Sequence, residues 1–400
     1  MKDLLRQLIQ ADSTPSKGEA AAAEVIATYF NRHGIDCQVD QWDGNRANVV
    51  AHVKTGRQRP ALLFVCHLDV VSPGQEDWAH PPFGAVEDKG RIYGRGAADM
   101  KGGTAAAVAA ICEAARTEAA LQGDIILAAT AGEETDSAGV VRFMQDYFGG
   151  QKAEGGEQKT ASPSKIQLPE SVLSRLSSVL GNLAGIIVPE PTDFAVVTAH
   201  RGLFWLKITT RGKSVHSSMP ERGINAIGSM KRVLDELERY QVQAEPHPLL
   251  GDCSMSINTI GGGEAMNIVP DRCTLGIDIR TLPGQDHETV RYDFERMLAR
   301  LKTAVPNFDG ELLIDRSVRA METDAECDFV KTFCSAVEVD LTNAIGFTTD
   351  APHLLPLGAP IVIFGPGKPR MCHQVDEYIE IGDLRTGVEM FKSVIGKFLT

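Results

Sequence analysis

Hydrophobic positions near the start of the chain recur at helical spacing. An apolar stripe runs from Leu4 to Ile9, the polar stretch Ser13-Thr-Pro-Ser16 interrupts it, and a second stripe ends near Gly34. This pattern predicts two short helices within residues 1–35.

From Cys37 to Thr130 the apolar runs become continuous, as in Ala61-Leu-Leu-Phe-Val-Cys66. Loops and one alanine-rich helix candidate, 104–118, separate them. Continuous runs are typical of strands buried on both faces, and strands that alternate with a helix indicate βαβ units. The chain is therefore predicted to contain an α/β domain with a mixed, mostly parallel sheet flanked by helices.

Between residues 199 and 318 the pattern changes to period-two alternation, which is typical of sheets with one covered face. Two helical stripes interrupt the alternating strands, so the order is β-α-β-β-α-β. This order predicts a ferredoxin-like α+β domain inserted into the first domain. The predicted domains are 1–197 and 319–400 for the α/β domain and 198–318 for the insertion.

Residues 149–182 are polar and poor in aromatic side chains. The segment is interpreted as an inserted surface excursion with one short amphipathic helix, which Leu173, Leu176 and Leu180 indicate.

Composition narrows the class of partner. The net charge of −13 argues against nucleic acid or an anionic membrane. The first residues lack the apolar core of a signal peptide, and no apolar run approaches the ~20 residues that span a bilayer. Eight cysteines without a C-x-x-C pair fit free thiols in a reducing compartment. A cytoplasmic protein is expected.

Acidic residues and histidines follow successive predicted strands or turns. They are His67, Asp69, Asp99, Glu133, Glu134, Glu190 and His373. Each one alone is better explained as an ordinary loop residue. Together they offer nitrogen and oxygen donors that suit zinc, cobalt or manganese, and a shared carboxylate suits two ions about 3.5–4 Å apart. Because ligands collect beyond the carboxyl ends of strands in open α/β sheets, a metal site on these loops is predicted.

Two competing interpretations fail. The turn Gly94-Arg-Gly96 imitates a dinucleotide-binding loop, but the negative charge of Asp99 would repel a pyrophosphate. No Gly-x-Ser-x-Gly elbow occurs, which argues against a serine hydrolase.

In these motifs the chain resembles the M20 metallopeptidase family, in its branch of acetylornithine deacetylases and succinyl-diaminopimelate desuccinylases. The motifs that carry the resemblance are His67-Leu-Asp69, Gly94-Arg-Gly-Ala-Ala-Asp-Met-Lys-Gly-Gly103, Gly132-Glu-Glu134, Glu190-Pro-Thr192, Val215-His-Ser217, Asp278-Ile-Arg280 and Cys372-His373. The resemblance implies a zinc-peptidase-like catalytic domain and an inserted domain that acts as a lid and dimerisation surface.

The resemblance also implies a site with two divalent metal ions, zinc as the first expectation and cobalt or manganese as alternatives. His67 and Glu190 would hold one ion, and Glu134 and His373 the other. Asp99 would bridge the two.

The remaining roles come from the same resemblance. Asp69 would orient His67, and Glu133 would be the general base that activates water. His216 would stabilise the oxyanion, from the partner subunit in dimeric members, while Arg280 and Asn267 would grip the substrate carboxylate. For Arg280 an inter-strand ion pair, and for His216 a hydrogen bond within its turn, remain open alternatives.

The expected function is therefore removal of a small acyl group from an N-acyl amino acid, as in acetylornithine deacetylase. A dipeptidase or exopeptidase with the same metal centre is the alternative, so the substrate would be an N-acyl amino acid or a dipeptide. A relative that only binds should have lost a metal ligand or the base, and none is missing. A homodimer is expected.

Overall fold

The computed structural model describes residues 1–116, 121–148 and 179–400. These residues form two compact units. The first comprises the described parts of Met1–Thr198 together with Thr323–Asn343 and Thr349–Thr400, and the second comprises Ala199–Glu322 and Ala344–Thr348. The predicted excursion at 149–182, with its short helix, lies almost entirely outside the described residues.

Helices and strands alternate along most of the chain. The strands are Asp36–Trp42 (β1), Arg46–Val53 (β2), Arg59–His67 (β3), Val86–Asp88 (β4), Arg91–Tyr93 (β5), Gly123–Thr130 (β6), Leu183–Val188 (β7), Val196–His200 (β8), Leu203–Arg211 (β9), Ser254–Gly262 (β10), Arg272–Arg280 (β11), Asp309–Val318 (β12), Met321–Glu322 (β13), Thr342–Ile345 (β14), Ile361–Ile363 (β15) and Tyr378–Glu380 (β16). The helices are Lys2–Gln10 (α1), Ala20–Arg32 (α2), Lys101–Ala115 (α3), Ala138–Phe148 (α4), Ala226–Leu237 (α5), His287–Ala304 (α6), Asp328–Val337 (α7) and Ile381–Leu399 (α8), with short 3₁₀ turns at Pro220–Arg222, Ala351–Leu357 and Pro369–Met371. No helix within the described ranges combines the length and the apolar character that crossing a bilayer requires.

The large sheet has the strand order β1-β2-β6-β3-β7-β15-β8, and the short strands β13 and β14 pair with β8. The four central strands, β6, β3, β7 and β15, are mutually parallel. Antiparallel strands flank them on both sides. The predicted α/β fold class is confirmed: a mixed sheet with a parallel centre and flanking helices.

Continuous apolar sequence explains this centre. Strand β3 is buried from Ala61 to His67, and helix α3 is buried along most of its length. The many alanines of α3 leave room for close packing, and its side chains share one core with those of α8 and the sheet.

The carboxyl ends of the parallel strands lie at one edge of the sheet. His67 at the end of β3 pairs in register with Thr130 at the end of β6. Val188 at the end of β7 pairs with Ile363 of β15. Loops that leave these strands therefore start next to one another, and a site can be assembled between them.

The second unit holds a separate four-stranded antiparallel sheet with the order β10-β11-β9-β12. Helices α5 and α6 cover one face and share a core with it, including Phe204, Leu275 and Phe294. The predicted ferredoxin-like insertion is thereby confirmed as part of the fold class.

Candidate metal centre

His67 is the last residue of β3, and its imidazole is only 2% exposed. Its Nδ1 lies 3.0 Å from the backbone oxygen of Asp69 and 3.6 Å from the Asp69 carboxylate. Its Nε2 lies 3.2 Å from Oδ1 of Asp99. One ring nitrogen is thus held by Asp69, while the other faces the predicted ligands.

Asp99 presents one carboxylate oxygen to each of two histidines. Oδ1 faces His67, and Oδ2 lies 3.5 Å from Nε2 of His373. The peptide bond from Asp99 to Met100 is cis, and helix α3 begins directly after it. A Cβ at Gly103 would lie 1.9 Å from the backbone oxygen of Pro189, so only glycine lets this helix approach the loop that carries Glu190.

Glu190 and Glu134 complete the cluster. Glu190 Oε2 lies 4.0 Å from His67 Nε2, and Glu134 Oε1 lies 2.9 Å from His373 Nε2. Within the part of the chain that the structure describes, three groups have donor atoms within 4.8 Å of one another: His67, Asp99 and Glu190; Asp99, Glu134 and His373; and His67, Glu133 and Glu134. The first two groups share only Asp99. Imidazole nitrogen and carboxylate oxygen are donors that fit a divalent transition metal, and two groups joined by one carboxylate fit a pair of ions.

The Asp69 carboxylate has a second set of contacts that the sequence did not indicate. It accepts backbone N–H bonds from Gly132 at 2.9 Å, Glu133 at 3.1 Å and Glu134 at 3.0 Å. The turn after β6 is therefore fastened to the same side chain that lies beside His67. Asp69 can position both glutamates as well as the imidazole.

Burial and crowding of carboxylates set the electrostatics. Burial raises the pKa of Glu190 and of Glu133 well above the ordinary range, and His67 only partly opposes this. Burial lowers the pKa of His67, but hydrogen bonds to Asp69 and Asp99 outweigh it, so this pKa is raised. Buried carboxylates that crowd one another bind a proton or a metal cation more readily than exposed carboxylates do, because the added positive charge offsets their mutual repulsion.

The other three predicted residues, His216, Asn267 and Arg280, belong to the second unit. His216 is exposed, and its Nδ1 lies 2.7 Å from the Ser218 hydroxyl. The backbone oxygen of Asn267 accepts a hydrogen bond from the N–H of Ser217 at 2.9 Å. Ser217 follows His216 directly, so the predicted residues His216 and Asn267 lie on neighbouring stretches of backbone. Arg280 Nε donates to Asp278 at 3.1 Å.

Sequence reasoning missed the buried ion pair between Arg95 and Glu377, which are 3% and 0% exposed with 2.6 Å between Arg95 Nη1 and Glu377 Oε2. A signal was available for Glu377. It lies two residues before the apolar Ile379, and period-two alternation along a strand puts both side chains on the same face.

Comparison with known proteins identifies the family through one sequence model. A sequence model of peptidase family M20/M25/M40 matches residues 63–397. A protein named "Probable succinyl-diaminopimelate desuccinylase" from Staphylococcus aureus (strain MSSA476) is 28% identical, over 99% of this chain and 97% of its own length. An acetylornithine deacetylase from Myxococcus xanthus is also 28% identical, over 96% of this chain and 93% of its own.

Among solved structures, an M20-family metallo-carboxypeptidase from Sulfolobus solfataricus is 17% identical and superposes with a TM-score of 0.75, over 98% of both chains. This likeness shows the shared fold. Since the family model spans most of the sequence, the chain belongs to peptidase family M20/M25/M40 and is a metal-dependent hydrolase of amide bonds.

Proposed function

We propose that this protein removes a small acyl group from the α-amino or side-chain amino group of an N-acyl amino acid, in the manner of an acetylornithine deacetylase. The observation that carries this choice is the pair of relatives that match nearly the whole chain, one named as a desuccinylase and one as a deacetylase. The candidate metal centre supports hydrolysis of the amide bond and does not by itself select the acyl group.

In the proposed site His67 and Glu190 hold one divalent ion, Glu134 and His373 hold the other, and Asp99 binds both. The shared position of Asp99 between two donor groups supports this arrangement. Zinc is proposed as the native metal, with cobalt or manganese as substitutes. When bound, the ions would polarise the amide carbonyl and lower the pKa of water beside them.

The chain itself moves the proton in this proposal. Glu133 accepts a proton from the attacking water at its carboxylate and then delivers it to the leaving amine. Its backbone N–H is fixed by Asp69, so the carboxylate starts from a defined position. Burial raises the pKa of Glu133, and a raised pKa favours the protonated form that donates to the leaving amine.

For the second unit we propose the roles that the resemblance implies. His216 would stabilise the oxyanion, and Arg280 with Asn267 would bind the substrate carboxylate. A guanidinium suits a carboxylate because its planar N–H groups match two oxygens. The bond from Arg280 to Asp278 leaves other N–H groups of the guanidinium for a substrate.

The test is hydrolysis of a substrate panel by metal-stripped protein with zinc or cobalt added back. The panel contains N-acetylornithine, N-succinyl-diaminopimelate, other N-acyl amino acids and several dipeptides. Metal-dependent turnover of one acyl amino acid, at a kcat/KM well above that of the dipeptides, is expected.

A dipeptidase or exopeptidase is the second candidate, because the matched family is a peptidase family. Such a peptidase would use the same general base, Glu133, and the same residues, Arg280 and Asn267, to bind the substrate carboxylate. Turnover confined to dipeptides in the panel would replace the deacylase proposal with this one.

We also propose a homodimer and a cytoplasmic location. The dimer proposal rests on β10, which is the outer strand of its sheet and has exposed isoleucines. The location rests on the cysteine pattern described above, and fractionation of cells that produce the protein would test it.

A further inference from the structure

The buried ion pair of Arg95 and Glu377 joins two segments that each carry a proposed metal ligand. Arg95 lies four residues before Asp99, on the glycine-rich segment. Glu377 lies four residues after His373, on the segment that leads into β16. Both Asp99 and His373 belong to the same donor group.

Both carboxylate oxygens of Glu377 accept hydrogen bonds from the segment that ends in Asp99. Oε2 accepts bonds from Arg95 Nη1 at 2.6 Å and from Gly96 N–H at 3.1 Å. Oε1 accepts bonds from Ala98 N–H at 2.8 Å and from Asp99 N–H at 3.0 Å. One side chain from the His373 segment therefore fixes the backbone that presents Asp99.

Arg95 makes the reverse connection. Its Nη2 donates to the backbone oxygen of His373 at 3.3 Å, and its Nη1 donates to that of Gln374 at 3.3 Å. The ring of Trp78 covers the guanidinium, with 5.1 Å between Cζ and the ring centroid. A side chain from the Asp99 segment thus fixes the backbone that presents His373, shielded from water.

Backbone pairing leads both segments into this contact. Strands β5 and β16 pair antiparallel, with Tyr93 opposite Tyr378. Directly beyond them, Gly94 N–H donates to the backbone oxygen of Glu377 at 2.8 Å. The two segments are therefore in register before their side chains cross.

We propose that Arg95 and Glu377 are positioning residues, a reciprocal clasp that holds Asp99 and His373 at ligand distance before a metal ion binds. The inference rests on the proposed metal centre but concerns residues that touch neither metal nor substrate. Glu377 accepts four donors and Arg95 reaches two carbonyl groups, and all of these partners lie on the two segments that carry Asp99 and His373. The clasp lowers the entropic cost of ordering Asp99 and His373 when the metal ion binds.

The test compares Glu377→Gln with the matched control Asp124→Asn. Asp124 is also a carboxylate that accepts a backbone N–H bond, from Thr55, and its Oδ2 lies 2.8 Å from Nε2 of His52. Asp124 is the second residue of β6, at the opposite end of that strand from the metal ligands and roughly 20 Å away. Both variants replace one carboxylate that accepts a backbone N–H bond, but only Glu377→Gln disturbs the clasp.

Three readouts are taken on the full-length protein. They are amide hydrogen exchange of the metal-free form, the Kd for Co²⁺ together with the visible spectrum of the Co²⁺ form, and kcat and KM for the substrate found with the panel. Glu377→Gln is expected to speed exchange at Gly96, Ala98 and Asp99, to weaken Co²⁺ binding at least ~10-fold, and to lower kcat more than it raises KM. Asp124→Asn is expected to leave all three unchanged.

Wild-type Co²⁺ affinity and spectrum in Glu377→Gln, at a stability loss like that of Asp124→Asn, would overturn the clasp. If Glu377→Gln does not fold, Arg95→Lys replaces it. Arg95→Lys keeps the charge opposite Glu377 but loses the bonds to His373 and Gln374, and it too should weaken Co²⁺ binding; unchanged affinity would overturn the proposal. Failure of the wild type to bind Co²⁺ would instead contradict the proposed function, and hydrogen exchange would still test the clasp.

Discussion

Glu133 and Glu134 are neighbours in the chain, yet their side chains have different surroundings. Glu134 contacts His373 at 2.9 Å and shares a donor group with Asp99. Glu133 is absent from that group, although both glutamates share a second donor group with His67. Adjacent carboxylates can therefore divide the work of holding a metal and moving a proton, as the proposed mechanism requires.

Replacing each glutamate by glutamine tests this division. Glu133→Gln should keep its metal and lose about 10²–10⁴-fold in kcat, because general base catalysis is worth about that much. Glu134→Gln should lose metal, because an amide oxygen is a poorer ligand than a carboxylate. Metal content and kcat are measured on the same preparations. Full activity in Glu133→Gln, or loss of metal from it, would contradict the assignment.

Some positions in the candidate metal centre could be predicted from the sequence, whereas the contacts that fix them could not. The positions of His67 and Glu190 near each other could be predicted, because β3 and β7 are parallel neighbours whose carboxyl ends lie together. Asp99 follows β5 of a separate small sheet, so the convergence of parallel strand ends does not account for its position. The three amide contacts of Asp69 and the three amide contacts of Glu377 could not be predicted. They depend on how loops fold back on each other, which hydrophobic periodicity does not encode.

At the scale of single elements, the first turn of α6 contains a buried neutral histidine. His287 is 5% exposed, and its ring nitrogens lie 2.8 Å from the hydroxyls of Thr281 and Ser317. Its ring stacks on Phe204. Burial, with a smaller effect from Arg319, lowers the pKa of His287 to about 4.

This histidine should make stability depend on pH. In the unfolded chain His287 binds a proton below its pKa of 6.5, whereas in the folded chain it binds one only below about pH 4. Between these two values the proton favours the unfolded chain, so the free energy of unfolding falls as the pH falls. The expected loss between about pH 7 and about pH 5 is about 2 kcal/mol. Urea unfolding of the wild type and of His287→Gln measures it. Equal pH dependence in the two proteins would contradict the expectation.

Strand β10 is the element on which the proposed dimer depends. Ile257 and Ile260 are 41% and 58% exposed, and the strand lies at the edge of its sheet. Such an edge pairs readily with another strand, and a charge placed on it opposes the pairing.

Ile260→Lys should therefore convert a dimer into single chains. The control is Leu341→Lys, which removes an apolar residue that is 76% exposed in a loop of the first unit. Sedimentation equilibrium should give the mass of two chains for the wild type and the control, and of one chain for Ile260→Lys. A wild-type mass of one chain would end the dimer proposal.

At the scale of the whole molecule, the proposed ligands come from five separate stretches of the first unit, which a metal ion would tie together. Binding to the folded form alone stabilises it by about 4 kcal/mol when free metal is ~1,000 times the Kd. Chelation should therefore lower the unfolding temperature of the first unit by several degrees. Calorimetry with and without chelator measures this shift, and zinc added back should reverse it. Identical transitions would show that the cluster holds no structural metal.

The α/β class and its ferredoxin-like insertion were predictable because the two sheets have different hydrophobic periods. Runs such as Ala61 to Cys66 are buried on both faces, whereas β9 and β11 alternate. The order of strands in the large sheet was not predictable. Strand β15 pairs with β7 and β8, although more than 150 residues separate it from either, and no local pattern specifies such a partner.

That pairing also governs the order of events during synthesis on the ribosome. Because translation is directional, Ala199–Glu322 emerges before Ile361–Ile363 exists. Most of the second unit can therefore fold while the large sheet still has a gap between β7 and β8. Until β15 fills that gap, β7 exposes an unpaired apolar edge, and a nascent chain stalled in this interval would be prone to aggregate or to recruit a chaperone.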